Sequence, residues 1–361
     1  MNRPITRRGW LGLLPGFVSA AVVSQKSPPL PQAGEFVRFA DPTTEVPVVR
    51  LTTPAYNDVL PAPDRGFVSL KPRMLYCSSD RAGGRMAPFQ IDLRTGAIRQ
   101  VAEAGALDTN SLSLDAQGRF LFFIDSGRLC QVAVNSKHDV KKPETLAEDV
   151  SAYALGSSRN ELFALRAGRL LQLLDRGENL LAEDAITPCV MRPGGRGCLF
   201  GRKSSADEHE FWYASVAGSG ARPVLLASGR VGNPFWSADG SSLLFLRDVP
   251  VNNVFVAELR EVNPEERIER CVAATSQFAA FSPNRNDSVF VGASKSKAQP
   301  NIVLLLRNPH REMTLCEHHA SNPASARPVF SPDSRRVYFQ SDREGKSAIY
   351  SVNVEQLVEP T

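Results

Sequence analysis

The sequence predicts an all-β protein: a seven-bladed β-propeller with four strands per blade. Three observations carry this. Strand-like runs rich in β-branched and aromatic residues recur along the chain, at 74–79, 120–125, 161–165, 197–201, 242–248, 288–293 and 336–342. Each follows a turn and a second short apolar run, and sustained helical periodicity is absent. The residues that end those preceding runs are Ser69, Ser113, Leu155, Met191, Ser237, Ser282 and Ser331, spaced 44, 42, 36, 46, 45 and 49 apart. Seven units at this period match a four-stranded blade repeated around a ring.

In chain order, residues 1–34 read as an export signal and linker. Arg7 and Arg8 close a positive start, and the apolar stretch from Trp10 to Val23 is too short and too broken by Gly and Pro for a membrane span. Thr6-Arg7-Arg8-Gly9-Trp10-Leu11 is twin-arginine-like, which implies a periplasmic or secreted protein. Residues 35–361 then form a single domain. Val46-Pro47-Val48-Val49-Arg50-Leu51 is a strand with no blade of its own. Blade seven runs out of chain after its third strand, so this N-terminal segment supplies the missing outer strand and closes the ring.

The later blades share a formula. Phe235-Trp236-Ser237-Ala238-Asp239-Gly240, Phe281-Ser282-Pro283-Asn284 and Phe330-Ser331-Pro332-Asp333 each end an inner strand and turn the chain. Pro fixes φ, and Asp bonds its own backbone two residues on. Ser79-Asp80-Arg81-Ala82-Gly83 and Ser341-Asp342-Arg343-Glu344-Gly345 repeat a polar hairpin loop before the third strand.

Hydrophobic residues make up 42% of the chain, enough to build a core and too many for a disordered one. Arg3, Arg7, Arg8 and Lys26 are the only charges before Glu35, and the remaining 38 basic residues equal the 38 acidic ones. A neutral body gives no electrostatic case for nucleic acid. Six Cys lack any CxxC pair, which argues against a zinc knuckle. Cys189 and Cys198 flank the Pro193–Gly197 turn and face each other across a hairpin in this reading; buried thiols in strands are the simpler state. No Gly-x-Ser-x-Gly elbow and no phosphate loop is present.

The ordered set of motifs resembles the oligogalacturonate lyase family, within the TolB-like propellers. Thr44 with Val48-Val49-Arg50-Leu51-Thr52, then Ile91-Asp92-Leu93-Arg94-Thr95-Gly96, then the last blade from Phe330 to Tyr350 carry the resemblance over roughly residues 35–356. It implies binding of uronate oligosaccharides, short pectin fragments, with β-elimination assisted by manganese and a histidine base. The family places these groups at the starts of inner strands. Here Asn233 stands at the position of the base, and Gln277, Asn322, Ser325 and Arg327 stand where the metal-binding residues fall. No catalytic residue and no metal ligand is therefore assigned at those positions, and manganese is not expected. His318 and His319, with Glu317, are the remaining candidates for a displaced metal site. Asp207-Glu208-His209-Glu210 reads as a surface loop, and His138 and His310 as turn residues.

What replaces the family residues is cationic and amide-rich: Arg202, Lys203, Arg230, Asn233, Gln277, Asn322 and Arg327. Guanidinium groups and amides suit carboxylates and sugar hydroxyls. The expected function is a lyase-like propeller that binds acidic oligosaccharides, with elimination in doubt. The alternative is a non-catalytic saccharide- or protein-binding module of the cell envelope.

Overall fold

The computed structural model describes residues 34–134, 139–156, 161–195, 197–204, 209–218, 220–225, 229–252, 254–273 and 277–357. The export segment lies outside them. Seven antiparallel sheets follow one another along the chain. Blades two to six each have four strands in sequence order, with inner strands at Ser113–Leu114, Val150–Leu155, Ile186–Met191, Val231–Trp236 and Phe278–Pro283. Every residue the spacing marked as an inner-strand end lies in such a strand or one position past it.

Blade seven builds three strands of its own, Val329–Phe330, Arg336–Ser341 and Ala348–Asn353. The N-terminal strand Pro47–Arg50 then pairs with Ala348–Asn353, in register Val48 to Val352 and Arg50 to Tyr350. A further strand, Val37–Ala40, pairs outside it and makes this blade five-stranded. Blade one also departs from four strands. Its inner position is divided between Asp58–Val59 and Val68–Leu70, both paired to Arg73–Ala82. Pro61 and Pro63 lie between the two pieces, and a prolyl nitrogen cannot donate to a ladder.

The turn formula works through one hydroxyl. Ser331 Oγ donates to Asp333 Oδ1 at 2.6 Å and accepts the Arg336 N–H at 3.0 Å, the start of the next strand. Ser237 repeats this with Asp239 at 2.7 Å and Ser242 N at 2.9 Å. The Ser241 backbone N–H and the Ser237 hydroxyl pull the Asp239 carboxyl down to about 2. In blade six the role shifts by two residues: Asn284 Oδ1 accepts Val289 N at 3.1 Å, while the buried Ser282 Oγ has no hydrogen-bond partner among the described residues.

Apolar side chains fill the seams between neighbouring blades. Across the closure, Val48, Phe339, Tyr350 and Val352 are buried together. The closure also has a polar lock. Arg81 donates to Glu35 at 2.8 and 3.0 Å and to Asp58 at 2.8 Å, and its guanidinium lies over the Tyr56 ring at 4.4 Å. Asp58 is fully buried; burial raises its carboxyl and Arg81 opposes the rise. Cys189 and Cys198 do face each other: their sulfurs are 3.3 Å apart and buried, and all six cysteines are free thiols.

Candidate functional site

One short turn leads into the inner strand of blade seven. Asn322 caps the 3-10 turn Pro323–Ala326: its Oδ1 accepts Ala324 N at 3.1 Å, and its carbonyl accepts the Ser325 hydroxyl at 2.7 Å. The turn ends on Arg327 in the left-handed region, at φ 45°, two residues before the inner strand. That backbone swings the side chain toward blade one, where Nη1 donates to the Leu60 carbonyl at 2.9 Å. Its other guanidinium nitrogens have no hydrogen-bond partner among the described residues. Burial pulls the Arg327 guanidinium below its usual range, and Asp108 and Asp64 only partly offset this. A cation left short of compensation in a half-buried position is relieved by an anion.

A second arginine enters from blade one. The segment 60–66, freed from the ladder by its prolines, turns back on itself where Arg65 N donates to Ala62 O at 2.9 Å. Arg65 then reaches blade three. Nη1 donates to the Tyr153 carbonyl at 2.7 Å, and the guanidinium lies over the Tyr153 ring at 4.6 Å. The Tyr153 hydroxyl in turn donates to the Ser111 carbonyl of blade two. Arg65 thus links blade one to blade three and, through the Tyr153 hydroxyl, to blade two. Its Nε is buried without a hydrogen bond among the described residues, 3.8 Å from Asp64 Oδ2. Burial works to lower its pKa, but Asp64 and other nearby groups, Asp108 among them, more than offset it. A cavity of about 400 Å³ adjoins it, lined by Asp64, Arg65, Ser113, Leu155, Glu161 and Met191 among others. Asp64 and Asp108 act electrostatically on both Arg65 and Arg327. Sequence reading passed over Arg65; the Pro61-Ala62-Pro63-Asp64-Arg65-Gly66 turn, set where an inner strand belongs, is the signal that marks it.

The other expected residues scatter. Asn233 sits at φ 51° in a bulge between Gly232 and Phe235. Gln277 is exposed, and its backbone carbonyl accepts Lys295 N at 2.7 Å. Arg230 is exposed and stacks over Phe255 at 4.3 Å. Arg202 folds over Trp212 at 4.0 Å and donates to the Glu183 carbonyl at 2.9 Å, away from Arg327 in its bonding. Lys203 ends the strand Gly197–Lys203 and is exposed.

Among the described residues the histidines do not gather into a metal site. His318 is fully buried: its Nδ1 accepts Ala320 N at 3.0 Å, which leaves Nε2 to donate to Ser294 O at 3.3 Å. Both ring nitrogens are used, and burial lowers its pKa. His319 turns to solvent at φ 47° and pairs with Glu317 at 2.7 Å. This corrects the expectation that the two could share a metal: the backbone reverses between them. His310 lies in an exposed turn, and His138 falls outside the described residues, as does most of the loop before His209. No group of three or more His, Cys, Asp or Glu placed to hold a metal exists among the described residues.

Comparison with known proteins places the fold. An oligogalacturonate lyase solved in complex with manganese is 17% identical, with a TM-score of 0.76 over 90% of this chain and 97% of that one. An oligogalacturonate lyase from Vibrio parahaemolyticus is 18% identical, with a TM-score of 0.79 over 92% of this chain and 100% of its own. This chain has the oligogalacturonate lyase fold. The Swd1 β-propeller domain of Myceliophteria thermophila is more distant, at 12% identity and a TM-score of 0.57 over 82% of this chain. No protein-family model and no curated protein matches the sequence.

A divalent metal ion does not fit the residues that the family resemblance marks for one. Arg327 is a cation with no acceptor atom, Asn322 Oδ1 is committed to its own turn, and the Ser325 hydroxyl donates to Asn322 O.

Proposed function

We propose that this protein is an exported propeller that binds an acidic oligosaccharide, a uronate, in its central channel without the metal-and-imidazole elimination of the lyases whose fold it shares. The observation that carries the reading is Arg327. A capped turn fixes it in a left-handed conformation, one N–H is anchored on Leu60 O, and the rest of a half-buried guanidinium is left for a ligand. A planar fork of donors matches a carboxylate in two-point geometry. Arg65 and the adjoining 400 Å³ cavity offer a second cationic contact along the axis.

Titration calorimetry with digalacturonate and with neutral galactobiose tests this. Digalacturonate binds, galactobiose binds far more weakly, and Arg327→Ala reduces digalacturonate affinity by about 10–100-fold, as expected for a hydrogen bond to a charged group. Equal affinity for the two sugars, or an Arg327→Ala protein that binds normally, overturns the reading. Export belongs to the same proposal: changing Arg7 and Arg8 together to Lys should hold the protein in the cytoplasm, read by cell fractionation.

A further inference from the structure

The seam between blades two and three differs from the others. Its core is the smallest, with five buried residues among those described: Ile124, Leu129, Val150, Tyr153 and Ala164. Six more apolar residues pack against it only partly buried, among them Phe122, Leu146, Leu155, Leu162 and Leu173. On the blade-two side the inner strand is only Ser113–Leu114 and the outer strand Glu144–Ala147. The seam opens there into a cleft of about 430 Å³. Leu174 stands at its edge, 41% exposed.

The rim has a definite sign. Asp115, Glu144 and Asp175 line the cleft, against Arg119 as the only cation among its described lining residues. Arg119 lies 3.6 Å from Asp115 and is largely exposed, so its charge is already opposed. Glu144 accepts a hydrogen bond from Gln131 Nε2 at 2.7 Å, which leaves its charge uncancelled. An apolar floor under a net acidic rim selects a ligand with a hydrophobic body and a cationic end. The volume lies within the usual range for small-molecule sites, about 300–1,000 Å³.

We propose that this inter-blade cleft, which adjoins the cavity beside Arg65 and shares Leu155, Gly156 and Glu161 with it, is a second binding site, for a small amphiphilic ammonium compound. The apolar body replaces water over Phe122, Leu155 and Leu173, and the ammonium group sits at the Glu144 and Asp175 rim. Neutral ligands of the same shape gain the first contribution alone, and anionic ones meet like charge.

Ligand-detected NMR on the full chain with phenylbutylammonium, phenylbutanol and phenylbutyrate tests this. The expected order of affinity is ammonium, then alcohol, then carboxylate, with the ammonium advantage shrinking as salt is added. Leu174→Ser, an exposed position that spares the fold, weakens ammonium and alcohol alike, severalfold. The double variant Glu144→Gln with Asp175→Asn weakens the ammonium severalfold and leaves the alcohol unchanged. The proposal is overturned if no probe binds, if the carboxylate binds as tightly as the ammonium, or if Leu174→Ser changes nothing.

Discussion

His318 shows how a residue type can point to chemistry that its surroundings forbid. Two adjacent imidazoles beside a glutamate are candidate ligands or a solvated loop pair, yet one is sealed in the core with both nitrogens bonded and the other faces water. Sequence adjacency carried no information about direction, because the left-handed φ at His319 separates the two rings. Burial disfavours the charged form of His318, and Arg343 and His319 add to this, against Ser294 O and Asp342. The folded pKa lies below the unfolded value of about 6.5. The unfolded chain therefore takes up the proton first as pH falls. Stability from this group is complete above about pH 6.5 and is lost as pH drops below it, toward the folded pKa. Thermal melts from pH 7.5 to 5 should show this loss, and His318→Gln should flatten it. Arg327 and Asn322 give the opposite lesson. Both were singled out as binding residues; the structure spends Asn322 on a cap and thereby aims Arg327. A cap is legible as a local pattern, whereas the Leu60 carbonyl that receives Arg327 is 267 residues away in sequence.

At the level of strands, the ring closure was legible because it is a counting argument. Blade seven lacked a strand, the segment before blade one had no partner, and an open edge is costly enough that the two belong together. Val48 marks the join: it is buried and opposite Val352. Val48→Asp should cost at least about 3 kcal/mol, because it puts an unpaired charge into that packed seam. The lock beside it is equally exacting. Arg81→Leu leaves Asp58 buried without its cation and should cost about 3–5 kcal/mol, the usual penalty for breaking a buried pair by removing one partner. Both costs are measured as a lowered denaturation midpoint. The divided inner strand of blade one and the extra strand Val37–Ala40 were not legible. The first depends on two prolines acting against an otherwise regular repeat, and the second on a pairing outside the repeat altogether.

For the whole molecule, the spacing of seven turn-ending residues was enough to give the architecture, since each blade repeats one local solution to the same burial problem. The central site was less legible because it is assembled across the ring. Arg65 belongs to blade one, stacks on a tyrosine of blade three, and shares its carboxylates with an arginine of blade seven. No local window contains that arrangement. The fold shared with oligogalacturonate lyases leaves the chemistry open, and the channel residues set it. The decisive measurement is therefore a turnover assay on the purified protein with digalacturonate, with and without manganese, alongside calorimetry on the same sample. Binding of the sugar with no unsaturated or keto product in either condition is the predicted result. Metal-dependent product would contradict it and would show that residues other than those at the lyase positions supply the ligands and the base.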